Sequence, residues 1–318
     1  MLKLSIKKPN YDKIDLRLGL VCINTILRTQ NIFCSRTCIR RTYNVQKAKD
    51  LALKNVSDIR HLIQWNAKNG IKCLRLSSDM FPHFTDKECE SYDIDFARPL
   101  LKEMGQLAKS LGHRILFHPG QYNQVGAQTV DVFESTIRDL KHHADIFDAM
   151  ELDDDSIIIV HGGGTYGNKE TTIKRWIEQF QLLPDNVKRR LVIENCETCY
   201  NTDDVLKIAN AVGIPVVFDF HHYECWNVQY GAGSQRGISE LWPEIIATWK
   251  GRRPVMHISE QAPDKCLGAH SDYISELPLL LFILMEKYNV AIDLEIEAKM
   301  KEQAILKLYA KYPQLLKT

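Results

Sequence analysis

Six short apolar runs, rich in β-branched residues, each lead onto a residue able to hold a divalent metal ion. They are RILFHPG with His118, SIIIVHGG with His161, RRLVIEN with Glu194, PVVFDFHH with Asp219 and His222, PVMHIS with His257, and AIDLEIEAK with Glu297. A GAH segment carrying His270 lies between the last two. Runs of this length, bounded by Gly, Pro or charge, read as buried parallel strands. Parallel sheets build their active sites at the C-terminal ends of their strands. Five His and three carboxylates gathered there exceed what one ion needs, so the pattern points to a multinuclear metalloenzyme.

Each of these residues alone has an ordinary explanation, as a hydrogen-bonded core His or one half of a buried ion pair. Their recurrence on six strands carries the reading. Imidazoles and carboxylates that converge without hydrogen-bond partners of their own are favourable only around a cation.

Two further strand-like runs, RLGLVCI (Arg17 to Ile23) and KCLRLSS (Lys72 to Ser78), bring the set to eight. Helical patterns lie between them at 45–69, 96–111, 130–147, 171–180 and 202–212, with a Leu-rich stretch after Glu276. Asn201 is a suitable N-cap, and Gly70, Gly112 and Gly213 each close a helix before a strand. Eight alternations predict a single-domain α/β fold, a (β/α)8 TIM barrel over residues 1–318, with 1–15 as a flexible N-terminal extension. A doubly wound open sheet is the alternative.

Composition, 45% hydrophobic and 25% charged, fits a soluble globular protein. No apolar stretch reaches the roughly twenty residues of a membrane span, and ELPLLLFILMEK, interrupted by Pro278, reads as a buried helix. The N-terminus lacks a secretory signal. Nine cysteines without framework spacing suggest reduced thiols in an intracellular compartment, cytoplasm or nucleus. A net charge of +1 announces no global field for nucleic acid; the basic groups at Arg36, Arg40 and Arg41, at Lys188 to Arg190, and at Lys250, Arg252 and Arg253 read as solvated surface unless they share a face. Gly162 to Gly164 could let a phosphate approach the backbone or merely relieve crowding. Cys196 and Cys199 have redox or zinc spacing without a second pair, and His61, His113, His142 and His143 read as non-ligands. No organic cofactor is expected.

In this order, RLGLVCIN, RLSSDMFP, FHPGQYNQV, HGGG, IEN, FDFHH, MHIS, GAH and IEAKMKE resemble the UV damage endonuclease family, relatives of endonuclease IV, with FHPGQY the most specific. The resemblance implies a TIM barrel with three divalent metal ions, manganese foremost and zinc or magnesium as alternatives. It implies nicking of damaged double-stranded DNA immediately 5′ of cyclobutane pyrimidine dimers and (6-4) photoproducts, leaving a 3′-hydroxyl and a 5′-phosphate. Carried over by motif, Glu194 bridges two metals, His118 and His161 complete one, Asp219, His257 and Glu297 the other, and His222 and His270 help hold the third. Gln121, Tyr122 and Asn24 are implied as damage probes, with Leu20 standing where the family commonly has Tyr. Val255 replaces a Lys that many members carry, so no lysine carbamate is expected. Asp86 takes the place of a family His, with His83 three residues earlier, and either is a further candidate ligand. An endonuclease restricted to abasic sites, a xylose-isomerase-like sugar isomerase or epimerase, and a damage-binding protein without turnover are the competing readings.

Overall fold

The computed structural model describes residues 9–316. Eight parallel strands close into one barrel in chain order: β1 Leu16–Val21, β2 Cys73–Leu76, β3 Arg114–Phe117, β4 Ile158–His161, β5 Leu191–Glu194, β6 Val216–Asp219, β7 Val255–Ile258 and β8 Ile292–Ile296. β8 pairs with β1, so the sheet has no free edge and the open-sheet alternative is set aside. Of the extension expected over 1–15, residues 1–8 lie outside the described residues. The remainder is part of the fold: Tyr11 packs edge-on against Phe282, and Ile14 is buried.

Alternation along each strand sorts the side chains. Leu16, Leu18 and Leu20 of β1 point outward into the apolar layer between sheet and helices, as do Ile292, Leu294 and Ile296 of β8. The inward residues form a second, smaller cluster of Cys73, Leu116, Ile157, Ile159, Val192, Val217 and Val255, closed by Trp249, whose indole N–H donates to the Val216 carbonyl. This apolar plug separates two charged ends.

At the N-terminal end, fully buried Asp293 is surrounded by three guanidiniums. Arg17 grips it at 2.6 and 2.7 Å, Arg114 reaches it at 3.0 Å and Arg253 at 2.8 Å. Burial disfavours ionisation of Asp293, but the hydrogen bond from Arg17 and the charges of Arg114, Arg17 and Arg253 hold its pKa below the usual range.

The six expected helices are present as Val45–Lys68, Arg98–Ser110, Val130–Ala149, Lys169–Phe180, Thr202–Val212 and Leu279–Tyr288. Asn201 caps its helix in a reciprocal capping box with Asp204, and Gly70, Gly112 and Gly213 take positive φ. Phe220–Tyr230, Ile238–Thr248 and Lys301–Lys311 are further helices that the sequence pattern does not announce. The first has no dominant apolar stripe and the second contains Pro243. Among the described residues, no helix is long and apolar enough to cross a membrane.

Asp293→Ala leaves three clustered guanidiniums without their common partner and is expected to cost about 3–5 kcal/mol of stability by denaturant unfolding. Because the folded pKa is depressed, the contribution of Asp293 in the native chain should be full above the unfolded value and fade as pH falls toward the folded one. A stability loss below ~1 kcal/mol would contradict this role.

Candidate metal centre

Strand register assembles the ligand candidates at the C-terminal mouth. His161 is the register partner of Glu194, and Asp219 that of His257. His118 follows the last residue of β3, and Glu297 follows the last residue of β8. His222 comes in by a different route. Asp219 is the N-cap of the helix Phe220–Tyr230, and its Oδ1 accepts the His222 backbone N–H at 2.7 Å, turning the imidazole back over the mouth.

Glu194, 1% exposed, lies at the middle of this set. Its Oε2 is 2.8 Å from His118 Nε2 and 3.7 Å from His161 Nε2, and its Oε1 is 2.8 Å from His257 Nδ1 and 3.9 Å from His222 Nε2. Each oxygen thus faces a different pair of imidazoles. Glu297 lies 3.6 Å from His257 Nδ1, while His270, on the loop after β7, approaches Glu297 at 3.8 Å. Ligand atoms of three overlapping sets lie within 4.8 Å of one another: His118 with Glu194 and His257, Glu194 with Asp219 and His222, and Asp219 with His257 and Glu297.

The electrostatics match a cation site. Burial opposes the charge on Glu194, yet His257, His161 and His118 hold its pKa well below the ordinary range. Burial likewise opposes ionisation of Glu297, which Arg75 and His257 overcome. Burial pushes His161 down to about 4. Buried atoms of the candidate ligands, among them Asp219 Oδ2, His161 Nδ1 and His257 Nε2, have no hydrogen-bond partner. An orphaned oxygen on Asp219, a residue whose carboxylate belongs to two of the converging sets, fits a divalent ion better than an empty polar core.

Several participants were not anticipated from the sequence. Asn195 exchanges two hydrogen bonds with the Asp219 backbone, at 2.9 and 3.1 Å, locking β5 to β6 beside the site. Glu197 holds His222 Nδ1 at 2.8 Å. Arg75 of β2 pairs with Glu297, and fully buried Glu295 lies 2.9 Å from His257 Nε2. A signal for Glu295 was available: Asp293, Glu295 and Glu297 alternate along one run, so all three point the same way.

Other expectations are corrected. Leu20 is fully buried on the outer face of β1, facing the helices, so it cannot wedge into a duplex. Asn24 is also fully buried; its side chain caps the helix Thr25–Thr29 by accepting from Leu27 N at 2.9 Å. His83 and Asp86 remain candidate ligands: they form a separate group with Cys89 whose ligand atoms lie within 4.8 Å of one another, in which Arg40 holds Asp86 at 2.8 Å and the Cys38 carbonyl lies 2.6 Å from His83. Within the basic groups, Arg36 is paired with Asp58, Arg190 with Asp148 and Arg253 with Asp15 and Asp293, so these three charges are engaged inside the protein. A Cβ on Gly162 would come within 2.5 Å of the Tyr200 ring, which favours the crowding explanation for that glycine.

Gln121 and Tyr122 are exposed, Tyr122 at 65%. Gln121 lines a cavity of about 220 Å³ that reaches His161, and Tyr122 lines one of about 480 Å³ with Arg40 and Arg138. All nine cysteines are unpaired; Cys196 Sγ accepts from the backbone N–H groups of Cys199 and Tyr200, a local turn contact. His142 stacks on Phe84, His143 lies 2.7 Å from the Asp139 carbonyl and His113 lies 3.3 Å from Asn66, away from the mouth.

The UV-endonuclease UvdE family model matches residues 16–317. The UV-damage endonuclease of Schizosaccharomyces pombe is 37% identical over 312 residues, which cover 93% of this chain and 50% of that protein. The crystal structure of SacUVDE superposes with a TM-score of 0.83 at 28% identity, over 95% of this chain and 100% of that one. Endonuclease IV from Thermus thermophilus shares the fold, with a TM-score of 0.57 at 11% identity over 94% of this chain and 98% of that one. On the extent of these matches, the chain belongs to the UV-endonuclease UvdE family.

Proposed function

We propose that this protein nicks double-stranded DNA immediately 5′ to cyclobutane pyrimidine dimers and (6-4) photoproducts, leaving a 3′-hydroxyl and a 5′-phosphate and so opening excision repair. The observation that carries the metal-dependent part is Glu194, whose two oxygens face different imidazole pairs as a bridging carboxylate would. His118, His161, Glu194, Asp219, His222, His257, His270 and Glu297 are the residues that would hold divalent ions, three of them, with manganese the leading candidate. Such ions supply Lewis acidity, which lowers the pKa of water from 15.7 toward about 7 to 9 and offsets charge on the cleaved phosphate.

The protein's own contribution is placement. Asn195 and Glu197 restrain Asp219 and His222, and the apolar plug beneath holds the carboxylates in a poorly solvated floor. Gln121 and Tyr122, exposed and each lining a cavity, would enter a duplex at the lesion. A damaged pair stacks poorly, so displacing it costs less than displacing sound bases. Nine unpaired thiols support action in a reducing compartment, cytoplasm or nucleus.

With Mn²⁺ added, the protein should nick UV-irradiated supercoiled plasmid and spare untreated plasmid, and chelation should abolish nicking. Glu194→Gln, equal in size but uncharged, should lower the rate by orders of magnitude. Equal nicking of both plasmids would sink the lesion assignment.

Cation binding should weaken as pH falls. Burial opposes a proton on His222, but Asp219, Glu197 and Glu194 overcome it and push its pKa up to about 10 without metal. The proton is therefore held at neutral pH and must leave before the ring can ligate, so Mn²⁺ affinity should drop at least ~10-fold between pH 8 and 5.5, with protons released into the buffer. Calorimetry in two buffers of different ionisation enthalpy measures both; a flat profile with no proton release speaks against this ligand set.

Replacing Gln121 and Tyr122 together by Ala should reduce the preference for a dimer-containing oligonucleotide by a few kcal/mol at most, the scale of wedging and stacking. Bound metal should be unchanged. An intact preference with loss of metal would make these residues supports of the site instead.

A further inference from the structure

Glu295 is the one carboxylate on the inner face of β8 that neither the ligand set nor the Asp293 cluster uses. It is fully buried, and neither of its oxygens has a hydrogen-bond partner. A buried carboxylate in that condition is costly unless a cationic or N–H group compensates it. Two groups are close: Arg75 Nε at 3.6 Å, and His257 Nε2 at 2.9 Å. His257 is itself fully buried, and its Nε2 has no other hydrogen-bond partner. The pair lies within hydrogen-bond distance but off the best direction.

Register makes this contact specific. Glu295 is the partner of His257 across the β7–β8 ladder, and inward parity brings the two side chains together inside the barrel. Val255, two residues back along β7 on the same inner face, offers no polar atom. The His257 ring therefore lies between two carboxylates, with Nδ1 at 2.8 Å from Glu194 Oε1 toward the mouth and Nε2 at 2.9 Å from Glu295 Oε2 toward the plug.

We propose that Glu295 is a positioning residue for the metal centre: it accepts the Nε2–H of His257, which fixes the tautomer and leaves Nδ1 free to ligate. A carboxylate behind a ligating imidazole sets ring orientation and raises ligand basicity, and loss of such a partner typically lowers metal affinity 10- to 100-fold. The inference rests on the metal-binding reading of the site, so its test measures metal directly.

Mn²⁺ dissociation constants, from chelator competition followed by the EPR signal of free Mn²⁺, are compared for the wild-type protein, Glu295→Leu and Glu295→Gln, alongside metal-free thermal melting. Glu295→Leu should weaken Mn²⁺ binding by about 10- to 100-fold. Glu295→Gln, which keeps an acceptor oxygen, should recover most of that loss. A purely structural Glu295 would instead shift melting and leave Mn²⁺ affinity unchanged, which overturns the proposal, as does an equal loss in both variants. Should Glu295→Leu fail to fold, histidine ¹⁵N shifts of the wild-type protein loaded with diamagnetic Zn²⁺ decide the matter. A His257 proton on Nε2 supports the assignment, and a proton on Nδ1 refutes it. If the wild-type protein binds no Mn²⁺ at all, the metal reading itself fails and this inference falls with it.

Discussion

Inward parity is the constraint on which the rest of this molecule depends. A closed barrel admits every second side chain of each strand, so a one-residue slip would exchange the outer leucines for the inner ligands. Here the inner set is layered: arginines around Asp293 at the base, an apolar plug closed by Trp249, then Glu295, and at the mouth His161, Glu194, Asp219 and His257. Polar groups at the two ends are kept apart by residues that cannot hydrate them. The base can therefore serve stability while the mouth holds unsatisfied ligand atoms.

The two ends resolve their buried charge differently. At the base, three guanidiniums share Asp293, Arg253 also pairs with Asp15, and the remaining N–H groups donate to backbone carbonyls such as those of Asp155, Arg253 and Ile292. At the mouth, carboxylates and imidazoles lie against one another, and the pKa values of His161 and His222 move in opposite directions. Desolvation dominates for His161, whereas three carboxylates dominate for His222. Such a cluster is poised to exchange protons for cations, because a ligand that gives up its proton gains a partner of higher charge.

In the proposed function, recognition and chemistry would occupy separate parts of the chain. The loop with Gln121 and Tyr122 carries no ligand atom of the three overlapping sets, yet it starts three residues after His118. A Cβ on Gly120 would meet the Tyr122 ring at 2.4 Å, so glycine there lets the ring lie back against its own loop. The buried Asn123 to Asp139 hydrogen bond, 2.7 Å long, anchors the loop from below. An exposed aromatic on an anchored loop would lose little conformational entropy on any contact it makes.

The sequence by itself determined the eight strands, their alternation with helices and the candidate ligand types at their ends, because strand periodicity, glycine stops and strand-terminal His and carboxylates are local signals, while closure into a barrel rests on the pairing of β8 with β1. It also held the alternation of Asp293, Glu295 and Glu297, from which the inward direction of Glu295 follows. Tertiary structure decided the rest. The burial of Leu20 and Asn24 depends on which face the helices cover, and the separation of His83 and Asp86 from the mouth depends on how the loop after β2 folds onto Arg40 and Cys38. Arg75, Glu197 and Asn195 join the site only because β2, β5, β6 and β8 meet around one axis. Pairing between residues more than a hundred positions apart, such as Arg75 with Glu297, is set by closure of the sheet, and no local pattern encodes it.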